Sequence, residues 1–314
     1  MNPETDEPRR ETIRTADQRD YWDALSPAYA EITRIRDDDF HFGPQIPGDA
    51  ALRLLPDLPP GATALELGCG GAQNSVFLAV RRGLRCTALD VSAAQLERAR
   101  ARAAAAGADV EFVQAPVENF PDAVGPDRRF DLVHSSHALE FVEDPGAAVR
   151  SMARAARPGG WVLVSTVHPL FNGQWIEGEF EDEDGRDAGS AGAGVFLPDY
   201  FRPPDDVRDD EFGHAVSRAW PVSAWFDWFR DAGLSVERLA EPAAVADAPY
   251  TSDAWADHGG QLDRIPSTVI LLGRKHPAPP RDIPLAEGGG GAVESGASRG
   301  RAGPAGRRAA ERTP

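Results

Sequence analysis

Ala64-Leu65-Glu66-Leu67-Gly68-Cys69-Gly70-Gly71-Ala72 joins an apolar run, an acid and a glycine-rich turn. Glycines accept φ > 0 and let a ligand approach the backbone with no Cβ in the way. A helix starting just after such a turn adds free N–H groups and the positive end of its dipole. Asp90 follows Gly68 by 22 residues, at the end of the next apolar run. An acid there can accept both hydroxyls of a ribose, so the spacing points to a ligand that contains a nucleoside. A dinucleotide fingerprint requires a third glycine where Gln73 stands, and the pattern fails at that position. Glu66 would sit badly beside a pyrophosphate and suits a cation.

The elements that hold these residues follow from the pattern of the chain. Thr63–Leu67, Arg85–Leu89, Val110–Val113, Phe130–His134 and Trp161–Thr166 read as five short buried strands. Helices are expected at Gln73–Arg82, from a Ser92 cap to Ala106, and at Pro145–Arg157, the last stopped by Pro158-Gly159-Gly160. A helix at Val222–Ala232 and closing strands at Leu234–Ala240 and Thr268–Leu272 complete the set. Strands joined by helices pair in parallel with right-handed crossovers, so the expected fold is α/β: a doubly wound, mostly parallel sheet of seven strands. Ligands of such sheets bind at the carboxyl ends of the strands, where strand order reverses.

Composition bounds the rest. The chain has 314 residues, 33 basic and 50 acidic, for a formal net charge of −17. That charge repels phosphate backbones and argues against nucleic acid and anionic membranes as partners. Apolar residues at 41 % suffice for a sizeable core. Two cysteines, Cys69 and Cys86, make neither a disulfide framework nor a thiolate metal site. No secretory signal or membrane-spanning run is visible, so a cytoplasmic location is expected. Residues 1–18 and 277–314 read as flexible tails around a domain at 19–276. Residues 167–219, rich in Asp, Glu, Gly and Pro, read as either a solvated acidic insertion or a substrate lid.

The sequence resembles the class I S-adenosylmethionine-dependent methyltransferases, bacterial small-molecule type. The landmarks are LELGCGGAQ (65–73), LDVSAAQLERAR (89–100), FDLVHSSHALEFVEDP (130–145) and ARPGGWVLVSTVHP (156–169). S-Adenosylmethionine carries a ribose, a sulfonium charge and no phosphate, which suits an acid at Glu66. The resemblance implies a Rossmann-like sheet with an amino-terminal helical cap, and a small-molecule acceptor methylated at O or N. It implies that Glu66, Gly68 and Gly70 line the cofactor, that Asp90 holds the ribose and that Val91 packs on the adenine. Ser135 would lie near the methionyl tail, and Tyr29, in the cap segment YWDALSPAY, near its carboxylate. Ala72 replaces the family's third glycine. Pro116 occupies the place of the acid that often meets the adenine amino group, leaving Glu118 or a backbone carbonyl to substitute.

Methyl transfer from an activated donor needs alignment and, for a hydroxyl or protonated amine, a base. His168, after the fifth strand, and His137, after the fourth, are the candidates; each is alternatively a structural histidine. Trp220, Trp225, Phe226, Trp228 and Phe229 fit helical core packing better than a substrate platform. No metal site is expected. The alternatives in other classes are an NAD(P)-dependent oxidoreductase on a similar sheet and a non-catalytic cofactor-binding scaffold.

Overall fold

Apolar runs separated by helices close into one seven-stranded sheet in the computed structural model, which describes residues 10–181, 187–256 and 258–276. In chain order the elements are α1 (Thr15–Ile32), β1 (Thr33–Ile35), α2 (Asp49–Leu52), β2 (Thr63–Leu67), α3 (Gln73–Arg82), β3 (Arg85–Asp90), α4 (Ala93–Ala106), β4 (Val110–Gln114), α5 (Phe120–Val124), β5 (Phe130–Ser136) and α6 (Pro145–Ala155). There follow β6 (Ala156–Val167), β7 (Gln174–Glu181), β8 (Asp187–Phe196), β9 (Asp205–Asp210), β10 (Gly213–Arg218), α7 (Val222–Asp231), β11 (Leu234–Ala240), β12 (Tyr250–Ser252), α8 (Asp253–Ala256), α9 (Gly259–Leu262) and β13 (Thr268–Lys275).

The strand order is β11-β13-β6-β5-β2-β3-β4. Only β13 runs against the rest, pairing antiparallel with β6 and β11. The chain winds outward from β2 through β3 to β4, then returns to β5 and winds the other way. Strand order thus reverses between β2 and β5, and the crevice at their carboxyl ends is where this topology opens a binding site.

Both faces of the sheet are covered. On one, Met152 of α6 and Trp225 and Phe229 of α7 are fully buried against Val133, Val162, Val164 and Leu271. This places the aromatic segment in the core. On the other, Phe40, Phe42 and Ile46 of the segment before α2 pack on Phe77, Leu78, Leu132 and Leu163.

Helix ends follow their local chemistry. Ser92 Oγ accepts the Gln95 N–H at the start of α4, and Gly107, at φ +65°, closes it. The expected helix at Pro145–Arg157 ends earlier, at Ala155. Pro158-Gly159-Gly160 lies inside the irregular start of β6, because Ala156 already pairs with Phe130.

Residues 167–219 contain two antiparallel hairpins, β7–β8 and β9–β10. The second leans on α1: Gln18 Nε2 donates to Val216 O at 3.1 Å and the Tyr21 hydroxyl to Asp210 Oδ2 at 3.1 Å. Residues 1–9 of the expected amino-terminal tail, 182–186 of the acidic segment and the expected carboxyl-terminal tail lie outside the described residues.

Candidate functional site

Between β2 and α3 the backbone turns on Gly68 (φ +69°) and Gly70 (φ +50°). A Cβ at Gly68 would lie 2.2 Å from that of Ala138, so the close approach of β2 to the segment after β5 requires glycine there. A Cβ at Gly70 would meet no protein atom within 4 Å, so the turn leaves free space there. Ala72, where the resemblance leads one to expect a third glycine, takes glycine's conformation at φ +57°. Its methyl is buried among Cys69, Ala88, Leu96 and Ala99.

Asp90, at the end of β3, ties this turn to the next. Its Oδ2 accepts the Gly70 N–H at 2.8 Å and its Oδ1 the Ser92 N–H at 2.9 Å. Burial pushes its carboxyl above the usual range against those hydrogen bonds. Glu66 is buried beneath the glycines, with one oxygen accepting from the Ser75 N–H at 3.1 Å and from the Ser75 hydroxyl. Burial pushes its carboxyl up to about 8, so at neutral pH it largely keeps its proton until a cation arrives. α1 reaches the same corner. Asp23 Oδ1 accepts from the Ser92 hydroxyl at 2.6 Å and from the Ala94 N–H at 3.1 Å, anchoring α1 on the first turn of α4.

These residues open on one cavity, with about 970 Å³ of empty space when its mouth is included. One end, over β3 and β4, is walled by Asp90, Val91, Gln95, Pro116, Val117 and Glu118. The floor is Glu66 with Gly68–Gly71. The other end, beyond β5, is walled by Ser136, His137, His41, Tyr29, Tyr250, Trp22, Phe141 and Ile35. Among the described residues lining it there are three acids and no lysine or arginine.

Of the residues singled out from sequence, Glu66, Gly68, Gly70, Asp90, Val91, Glu118, Tyr29 and His137 converge on this cavity. Ser135 and His168 do not. Side chains alternate along β5, so Ser136 faces the cavity while Ser135 points back and donates to Leu67 O at 2.9 Å. His168 is buried after β6, its Nε2 2.8 Å from Glu241 Oε1 and its Nδ1 accepting the Leu170 N–H at 3.2 Å. That geometry is a structural histidine, and it corrects the expectation of a base at the cavity mouth. His137 lines the cavity, yet both ring nitrogens are engaged: Nδ1 lies 3.0 Å from Glu140 Oε1 and Nε2 3.0 Å from Thr268 Oγ1. With Nδ1–H directed to the carboxylate, the lone pair on Nε2 accepts the Thr268 hydroxyl, which leaves no free base. No residue of 167–219 lines the cavity among those described, so the hairpin β9–β10 backs α1 rather than covering the ligand space.

Four wall residues were not singled out as site residues from sequence, although Trp22 and Phe141 lie within the quoted segments 21–29 and 130–145. Tyr250, His41, Trp22 and Phe141 come from β12, a loop, α1 and the segment after β5, and meet only in the folded chain. Tyr29 and Tyr250 share a short hydroxyl–hydroxyl hydrogen bond across the cavity wall, and burial pushes both phenols up.

Residues 65–164 match the family model described as a methyltransferase domain. A ubiquinone biosynthesis O-methyltransferase from Alkalilimnicola ehrlichii is 40% identical over 108 residues, 34% of this chain and 42% of that protein. The enzyme of the same name from Serratia proteamaculans is 39% identical over 106 residues, 34% of this chain and 43% of that one. The chain therefore spans about two fifths of the length of the curated relatives it matches. Two solved structures share the fold. An S-adenosylmethionine-dependent methyltransferase from Mesorhizobium loti aligns with a TM-score of 0.50 at 24% identity, over 72% of this chain and 96% of that one. The cyclase SpnF aligns with a TM-score of 0.55 at 19% identity, over 86% and 98%.

Proposed function

We propose that the chain, whose residues 65–164 match a methyltransferase-domain model, is a class I S-adenosylmethionine-dependent methyltransferase that transfers the methyl group to an oxygen of a small molecule. The observation that carries this reading is a cavity lined by three acids and, among the described residues, by no lysine or arginine. Glu66 and Asp90 are buried beside the glycine turn, Glu118 stands on the wall, and the described lining holds no cationic side chain. A pyrophosphate placed there would face carboxylates, and the Gly70 N–H that would meet it is already given to Asp90. A sulfonium with an ammonium tail meets carboxyl groups and favours their ionised form.

The residues fit that ligand part by part. Asp90 keeps free lone pairs for the ribose hydroxyls, since each of its oxygens accepts one backbone N–H. Val91 and Val117 offer apolar surface to a flat base, and Glu118 an acceptor at its rim. The free space over Gly70 takes the methionyl portion above Glu66. The cofactor supplies an activated methyl group, so the remaining task of the protein is alignment in a site that excludes water. Oxygen as the acceptor atom is supported by the names of the curated relatives. Cofactor, acceptor and reaction are tested together by calorimetry with S-adenosylhomocysteine and NAD, followed by labelled-methyl transfer to a panel of hydroxylated metabolites. Binding of S-adenosylhomocysteine and transfer to at least one hydroxyl is the expected result; binding of NAD alone would overturn the reading.

A further inference from the structure

The wall beyond β5 contains one histidine that the fold leaves unused. His41 sits in the loop between β1 and α2. Fully buried Phe40 and Phe42 flank it, and Asn74 clasps its backbone, accepting its N–H at 2.9 Å and donating to its carbonyl at 2.9 Å. The loop is thus held rigidly, and the ring is presented to the cavity at 8 % exposure, edge-on to Tyr250 at 5.2 Å. His41 Nδ1 is buried with no hydrogen-bond partner. A buried polar atom left unpaired costs about 1–3 kcal/mol; of the other polar side chains along the cavity, Gln18 Oε1 is likewise unpaired, while both ring nitrogens of His137 and the Tyr29 hydroxyl have partners. Burial, with His137, His134 and Arg102 nearby, pushes the His41 imidazole down to about 3, so the free protein presents a neutral ring.

We propose that His41 hydrogen-bonds the acceptor's hydroxyl and takes its proton during transfer, and that the end of the cavity beyond β5 is the acceptor subsite for a flat, phenol-like molecule. This rests on the methyltransferase reading above. The aromatic wall is continuous: Phe141 lies 5.4 Å from Trp22, Trp22 lies 5.5 Å from Tyr29, Tyr29 meets Tyr250, and Tyr250 meets His41. Such a wall packs an aromatic ring and leaves one polar group to be matched at its end. In the reaction the acceptor oxygen bonds the methyl carbon, the C–S electron pair stays on sulfur, and the O–H proton passes to the imidazole. One positive charge leaves sulfur as one appears on His41. The buried ring is a weak base, so it takes the proton from the oxonium that methylation creates, a far stronger acid than the phenol, and passes it on to water.

The test uses the full chain saturated with S-adenosylhomocysteine, with para-cresol and its methyl ether as probes read by calorimetry. Isotope-labelled histidine gives the His41 ring signal by magnetic resonance. The wild type is expected to prefer the phenol over the ether by about tenfold, the loss of one buried hydrogen bond, and the His41 signal to move with the phenol alone. His41→Phe should abolish the preference, and His41→Gln, which keeps an acceptor, should retain it. S-Adenosylhomocysteine affinity should stay within about twofold in both variants. Equal preference in wild type and His41→Phe, an unmoved His41 signal, or binding of neither probe would overturn the assignment. Failure of S-adenosylhomocysteine to bind the wild type would overturn the cofactor reading instead.

Discussion

Asp90 does two jobs with one carboxylate. It fixes the glycine turn through Gly70 and the start of α4 through Ser92, and it offers its remaining lone pairs to a ribose. Asp90→Ala should weaken S-adenosylhomocysteine binding by about 1–3 kcal/mol, read by calorimetry; unchanged affinity would remove the ribose from this site. Glu66 makes a pH prediction with a definite sign. Burial raises its folded-state pKa to about 8, above the ordinary glutamate value of 4.5, so the native state holds a proton that the unfolded chain releases. The resulting stabilisation is complete below about 4.5 and is lost as pH rises through about 8, at a slope of up to about 1.4 kcal/mol per pH unit. Urea denaturation across that window should show the wild type losing stability relative to Glu66→Gln as pH rises. His168→Ala should leave cofactor affinity intact and lower stability by about 1–3 kcal/mol, because it removes the partner of Glu241 and of the Leu170 N–H. The acids and glycines of the site were legible because their spacing is set by one strand, one turn and one helix. Ser135 was misplaced by a single residue, since strand alternation reverses the facing at every step. His41 carries no motif at all; its significance comes from Asn74, Tyr250 and an unpaired nitrogen, contacts that exist only after folding.

At the scale of elements, the parallel strands and the helices between them were readable because strands buried on both faces appear as continuous apolar runs. Leu65, Leu67, Ala88, Leu89, Val133 and Val164 are all 0 % exposed. The hairpin β9–β10 was not readable. Its first strand is Asp-Asp-Val-Arg-Asp-Asp, with no apolar alternation, and it is held by charge: Arg218, 4 % exposed, grips Asp205 with two hydrogen bonds at 2.9 and 2.8 Å. The aromatic segment at 220–229 divides by helical facing. Trp225 and Phe229 fill the core and Phe226 faces solvent. Trp225→Ala should cost about 3–5 kcal/mol, measured as a shift of the denaturation midpoint, with little change in the cofactor affinity of the protein that remains folded. A change confined to affinity would mean that α7 contributes to the cavity.

For the molecule as a whole, acidity and site sign agree. A chain of net charge −17 with acids and no lysine or arginine among the described residues of the glycine-turn cavity favours a cationic donor and disfavours polyphosphates. A ligand that binds only the native state at a hundredfold excess over its Kd stabilises by about 2.7 kcal/mol. For a domain of this size that corresponds to a Tm increase of roughly 5–10 °C. S-Adenosylhomocysteine should produce it and NAD should not; a comparable increase with NAD would contradict the charge argument. Among the described residues no helix is long and apolar enough to cross a membrane.

The reversed strand β13 has a consequence for how the chain is made. It is translated after β11 yet lies inside it in the sheet, wedged against β6. Until it emerges from the ribosome, β6 remains an open edge able to recruit strands from neighbouring nascent chains. The same late strand carries Thr268, whose hydroxyl holds His137 in the cavity wall. Closure of the sheet edge and completion of the pocket are therefore one event, and a polypeptide interrupted before Thr268 lacks both.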